Sequence, residues 1–150
     1  MTQAHWKNWN DTGNHRNWKV KNRSGSLLHG DLTEKIIGLC YEIQSIYGCG
    51  QKESVYQKAL EEKLMSAKIS FEKEVTININ SEESGKKLGV YRLDFIVDKK
   101  VVVETKALKF TPIKLEQQLF SYLKNSDYEV GLMINFGSHK LYIRRIILTQ

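Results

Sequence analysis

Two cysteines are too few to build a disulfide framework in a chain of 150 residues, and neither Cys40 nor Cys49 stands with histidine at zinc-ligand spacing. Cys40 reads as a small core residue. No apolar run approaches the ~20 residues that cross a bilayer, and the N-terminal stretch lacks the apolar segment of a secretory signal. A cytoplasmic location with no membrane partner is the expectation. Charge of one sign is also scarce where it would matter. The net charge is +6, but Lys7, Arg16, Lys19, Lys21 and Arg23 against Asp11 give residues 1–30 a charge of +4, leaving only +2 for the rest. A body so nearly neutral is not a general polyanion binder, so any attraction to phosphate must be local.

Residues 1–30 are rich in Asn, Gly, Ser and His and show no helical or strand period. Trp6, Trp9 and Trp18, set among basic residues, are of a type that stacks on single-stranded bases. The plainer reading is a disordered or unrelated tail, because this composition cannot bury enough apolar surface to order itself. Residues 31–150 then form one domain, with a hydrophobic content of 41% over the whole chain that is ordinary for a globular protein.

The stretch from Val90 to Leu108 organises that domain. It reads as two apolar strands, Val90 to Val97 and Val101 to Lys106, joined at Asp98, Lys99 and Lys100. If those three residues are the whole turn, Asp94 lies opposite Glu104, and Lys106 follows on the same face because side chains repeat every two residues. A two-residue turn would instead set Val103 against Asp94 and separate the acids. Directly opposed residues have Cβ atoms roughly 4.5–5.5 Å apart, where like charges repel. A hard divalent cation between them would remove that penalty, as in a phosphodiester-cleaving site. The plainer alternative is a solvated sheet face; against it, both acids interrupt the apolar runs of strands covered on both sides.

The remaining elements follow from periodicity. Asp31 to Glu34 offers an acidic N-cap with Glu three residues on, and Ile36, Ile37, Cys40, Ile43, Ile46 and Tyr47 recur at helical spacing until Gly48, Cys49 and Gly50 stop the helix. A second helix spans about Lys52 to Ala67 with a stripe of Tyr56, Leu60 and Leu64. Glu53 lies on that stripe, either as a first-turn acid favoured by the helix dipole or as a carboxylate aimed at the ion site. Phe71 to Asn80 alternates as a half-buried strand, and Ser81 to Gly89 is an exposed loop. Thr111 and Pro112 read as N-cap and first helical residue of a helix to about Asn125, with Ile113, Leu115, Leu119, Phe120 and Leu123 on its apolar face and Gln118 and Tyr122 sharing a side. Val130 to Phe136 and Lys140 to Leu148 complete the strands. This order predicts a mixed sheet with helices packed on it.

Four stretches together resemble a known family. Gly50-Gln51-Lys52-Glu53-Ser54-Val55-Tyr56 is similar to the signature of the GxxExxY proteins, a branch of the PD-(D/E)XK nuclease superfamily, with the similarity running from about Leu32 to Ile147. Arg92-Leu93-Asp94 and Glu104-Thr105-Lys106 stand where the superfamily has its acidic core, with Leu93 in place of its proline. Gln118 to Tyr122 resembles the QxxxY motif of RecB-type members, and Asn135-Phe136-Gly137 resembles the late strand of the branch. The resemblance implies an α/β (α+β) fold with a restriction-endonuclease-like core, a central mixed sheet flanked by helices. It implies Mg²⁺, replaceable by Mn²⁺, held by Asp94, Glu104 and the Thr105 carbonyl, with Glu53 reaching the ion directly or through water. Lys106 would hold or deprotonate the attacking water, and Gln118 would orient a ligand or phosphate with Tyr122 packed behind it. Tyr56 supports the second helix. Arg92, two residues before Asp94, is expected on the same face, as a phosphate contact or the charge partner of Glu53.

The expected activity is metal-dependent hydrolysis of phosphodiester bonds, with DNA as the expected polymer. A different class, a nucleic-acid-binding or protein-interaction module that keeps the fold without turnover, is the alternative. The near-neutral body motivates it, and retention of binding in a chelator would distinguish it. A homodimer or an unidentified protein partner is left open.

Overall fold

The computed structural model describes residues 28–148, so the tail tryptophans Trp6, Trp9 and Trp18 lie outside the described residues. The elements run α1 (Gly30–Tyr47), α2 (Glu53–Ser66), β1 (Phe71–Asn80), β2 (Lys87–Val97), β3 (Val101–Lys106), α3 (Ile113–Lys124), β4 (Val130–Asn135) and β5 (Tyr142–Ile147). The five strands form one sheet in sequence order. Only β3 and β4 pair in parallel, because α3 carries the chain back across the sheet between them; the other neighbours are antiparallel.

The centre of the sheet is covered on both faces, which is why β3 (VVVETK) and β4 (VGLMIN) are so apolar. On one face α1 and α2 bury Ile36, Cys40, Ile43, Tyr56, Leu60 and Leu64 against Phe95, Val97, Val101, Val103, Leu132 and Ile134. On the other, Leu119, Tyr122 and Leu123 of α3 pack on Ile96, Val102, Met133 and Ile146. Gly131 permits this close approach, since a Cβ there would lie 2.9 Å from the Leu119 side chain.

The β1–β2 hairpin changes sides partway along. Phe71, Phe95 and Val97 belong to the α1/α2 core, whereas Val75, Ile77, Tyr91 and Leu93 belong to the α3 core. The switch falls at Glu74 and Asp94, which drop out of the ladder between Lys73 opposite Phe95 and Val75 opposite Leu93. Glu74 takes φ 55°, left-handed backbone that costs a non-glycine residue roughly 1–2 kcal/mol. Asp94 therefore sits where the strand is locally released from its neighbour.

Several expected details are corrected. The α1 N-cap is His29, not Asp31, which lies in the first turn. Helix α3 is capped at Pro112 rather than Thr111, whose hydroxyl accepts from Asn135 Nδ2 at 2.8 Å. Ile46, Tyr47 and Ile113, expected to face the core, are exposed, because they lie at helix ends outside the turns that bury Thr33 to Ile43 of α1 and Leu119 to Leu123 of α3. Strand β2 begins at Lys87, inside the expected loop, since its outer half pairs with β1 beyond the helical layer.

Candidate active site

The turn after β2 decides the site. Asp98 and Lys99 adopt φ 51° and 53°, and Lys100 N–H donates to Val97 O at 3.0 Å, making a three-residue turn. Val97 then faces Val101 and Phe95 faces Val103; one step further in this register Asp94 faces Glu104. There the backbone ladder ends and side chains replace it. Asp94 N–H donates to Glu104 Oε1 at 3.1 Å, and Thr105 N–H donates to Asp94 Oδ2 at 2.9 Å. Each carboxylate thus satisfies a backbone donor on the opposite strand with one oxygen, and keeps its other oxygen for a ligand.

A polar chain ties this pair to α2. Thr105 Oγ1 donates to Asp94 Oδ2 at 3.1 Å and accepts from Gln57 Nε2 at 3.0 Å, which also donates to Glu53 Oε1 at 3.2 Å. Glu53 opens α2, and Tyr56 fixes where α2 starts. Its hydroxyl donates to Gly48 O at 2.5 Å and accepts from Gln51 N–H at 3.1 Å, while its ring stacks on Phe136 at 4.7 Å.

Electrostatics couples the same residues. Glu104 is only 3% exposed, and burial pushes its carboxyl up to about 8, helped by the Asp94 carboxylate and opposed by the Asp94 N–H and by Lys106. Burial also raises Glu53, with Lys106 lowering and Asp94 raising it. Burial raises Tyr122 to about 12, with Glu104 and Asp94 adding to the effect and a hydrogen bond with Gln118 opposing it. Gln118 itself is exposed, at the rim of this group. The structure therefore brings Glu53, Asp94, Glu104, Thr105, Lys106, Gln118 and Tyr122 into one neighbourhood.

Arg92 is different. It is exposed and pairs with Glu74 across the hairpin, so Glu74 rather than Glu53 is its charge partner, and the change of sides at Asp94 undoes the shared face expected from spacing. Gln57 and the Thr105 hydroxyl were not anticipated as site residues. The available signal was that Gln57 lies four residues after Glu53, on the same helix side.

Among the described residues, no three His, Cys, Asp or Glu side chains converge as a ready-made metal cage. The donors that do meet are the Asp94 and Glu104 carboxylates and one carbonyl. Lys106 O accepts from Phe136 N–H on the β4 side at 2.8 Å, so alternation along β3 turns the Thr105 carbonyl toward β2 and the acids. This all-oxygen set suits a hard divalent cation that takes one or two protein carboxylates and keeps its waters. The ion would also offset the burial, and the lesser repulsion from Asp94, that hold Glu104 neutral.

Comparison with known proteins agrees with this architecture. Residues 30–146 match the profile of the PD-(D/E)XK nuclease superfamily. The five-stranded mixed sheet flanked by helices is the restriction-endonuclease-like fold of that superfamily. The fold is also similar to that of the crystal structure of SSO0001, at 24% identity and a TM-score of 0.50, over 79% of this chain and 58% of that one. The chain thus spans less than two thirds of that protein, and the likeness concerns the fold alone. Among curated proteins none matches the chain. No helix among the described residues is long and apolar enough to cross a membrane.

Proposed function

The chain belongs to the PD-(D/E)XK nuclease superfamily, and from that premise we propose that it is a Mg²⁺-dependent nuclease of the GxxExxY branch that hydrolyses phosphodiester bonds of DNA. The observation that carries this reading is the Asp94–Glu104 pair, two carboxylates locked across β2 and β3 by reciprocal hydrogen bonds to backbone. Asp94, Glu104 and the Thr105 carbonyl would hold the ion, which would supply charge neutralisation at the phosphate and ease deprotonation of water. Lys106 orients the attacking water and offsets phosphate charge as a compact ammonium. Glu53 acts through water, kept in place by Gln57. Gln118 orients a substrate phosphate at the rim, beside Tyr122.

A second reading, a nucleic-acid-binding or protein-interaction module without turnover, is favoured by one observation. A carboxyl at about 8 is mostly protonated at neutral pH, so the site does not present two full charges until a cation arrives. Calorimetric titration of Mn²⁺ into wild type and Asp94→Ala, with plasmid nicking measured on the same samples, separates the two. Binding and nicking that are both lost in Asp94→Ala support the nuclease. Affinity for DNA that survives in EDTA, with no nicking in Mg²⁺ or Mn²⁺, supports the module and overturns the nuclease.

A further inference from the structure

Immediately after Lys106 the chain makes an irregular connection, residues 107–112, that is held more firmly than a surface loop requires. Asn135 is fully buried and its amide is saturated by this connection and the turn beside it. Oδ1 accepts from Leu108 N–H at 2.9 Å and Gly137 N–H at 3.0 Å, while Nδ2 donates to Leu108 O at 2.9 Å and Thr111 Oγ1 at 2.8 Å. Gly137 allows the two backbones to touch, since a Cβ there would fall 2.3 Å from Leu108 N. On this fixed loop Phe110 is 77% exposed, with Ile113 at 74% beside it. Lys109 Nζ stands 5.8 Å from the Phe110 ring centre. From Lys106 to Lys114 the segment carries three lysines and no acid, in a body whose net charge is only +2.

We propose that Lys109 and Phe110 form a stacking contact for an unpaired base of the strand that enters the candidate site, so that the substrate has single-stranded character near the cleaved bond. The inference rests on the reading of the site as one that acts on nucleic acid. Lysine alternating with an aromatic ring suits a strand with a charged backbone and flat bases, whereas lysine is depleted in protein–protein interfaces. Phe110 stands four positions after Lys106, at most ~14 Å of chain, so the ring lies within a few nucleotides of the reacting phosphate. The Asn135 clamp fixes the chain at Leu108 and Thr111, on either side of Phe110, before binding, so only the Phe110 side chain has to be ordered on stacking.

The test measures anisotropy of a labelled single-stranded oligonucleotide and of a blunt duplex of equal length with the full chain in EDTA. The variants are Phe110→Ala and Phe110→Trp, with sedimentation run alongside. The expected result is a roughly 5- to 150-fold loss of single-strand affinity in Phe110→Ala, retention in Phe110→Trp, and less than a twofold change for the duplex. Equal losses on both substrates, no loss on either, or a change of oligomeric state in Phe110→Ala would overturn it, the last by assigning the ring to a protein interface. Because EDTA removes turnover, failure of this inference is separable from failure of the nuclease reading. Phe110-dependent binding without cleavage in any metal sinks only the latter, and metal-dependent cleavage with Phe110-independent binding sinks only the former.

Discussion

The two sides of β3 do different work. Val101 and Val103 belong to the core under α1 and α2, a side that is apolar until Thr105 meets Gln57. Val102, Glu104 and Lys106 alternate onto the α3 side, where buried polar groups gather: Glu104, Asn135, and Arg144 paired with Glu116 at 3.1 Å. Because a strand separates its faces by single residues, stability and chemistry are interleaved on six positions without competing for space. The site can carry two carboxylates because Val101 and Val103 supply packing that does not depend on them; only at the end of β3, through Thr105, Gln57 and Glu53, does the α2 side join the site.

The largest effect is expected on the chemical side. Lys106→Ala should lower Mg²⁺-dependent cleavage roughly 10²–10⁴-fold while the melting temperature barely moves; Asp94→Ala should lower it as far and also cost about 1–3 kcal/mol, because the buried Thr105 N–H loses its acceptor. A variant that melts early in proportion to its lost activity would contradict the division. Next comes the buried pair that seats α3. Arg144 is 7% exposed and bonded by Glu116, which also accepts from the Tyr142 hydroxyl. Glu116→Ala strands a buried guanidinium and should cost about 3–5 kcal/mol in denaturant unfolding, against much less for Glu116→Gln. On the apolar side, Leu60→Ala should cost ~2–5 kcal/mol yet leave the Mn²⁺ affinity of the folded protein unchanged in calorimetry.

A smaller effect concerns the dependence of stability on pH. Burial raises Glu104 from 4.5 to about 8, so the folded, metal-free protein keeps a proton that the unfolded chain releases between those values. Its stabilising contribution is complete below about 4.5 and declines as pH rises to about 8, flattening above. Chemical denaturation across that range should show the decline in wild type and a flatter profile in Glu104→Gln, while Mn²⁺ affinity rises over the same window. The smallest effect belongs to Arg92. Its pair with Glu74 is exposed on both sides, so Arg92→Ala should change stability by no more than ~1 kcal/mol. A large loss of cleavage in that variant would return Arg92 to the substrate.

Much of this was legible before the fold was seen, and the reason is local. Strand β3 matches its expected bounds, Val101 to Lys106, and the opposition of Asp94 and Glu104 needs only a three-residue turn and a period of two. Tyr56, Leu60 and Leu64 are buried as their helical spacing requires. What escaped depends on partners far along the chain. Asp31 and Thr111 looked like N-caps because their chemistry suits that position, but His29 and Pro112 hold it, with Thr111 engaged by Asn135 instead. The link from Gln57 to Thr105 joins residues 48 positions apart, and no pattern within one helix or one strand encodes it.

Periodicity and turn length were therefore enough to bring the two acids together, since both act over a few residues of backbone. Only the tertiary structure decided which face each half of the β1–β2 hairpin buries, how Asn135 and Gly137 immobilise the loop after Lys106, and how far Glu104 is withdrawn from water. Burial and long-range hydrogen bonds are properties of surfaces meeting, and those surfaces exist only once the sheet has its helices on both sides.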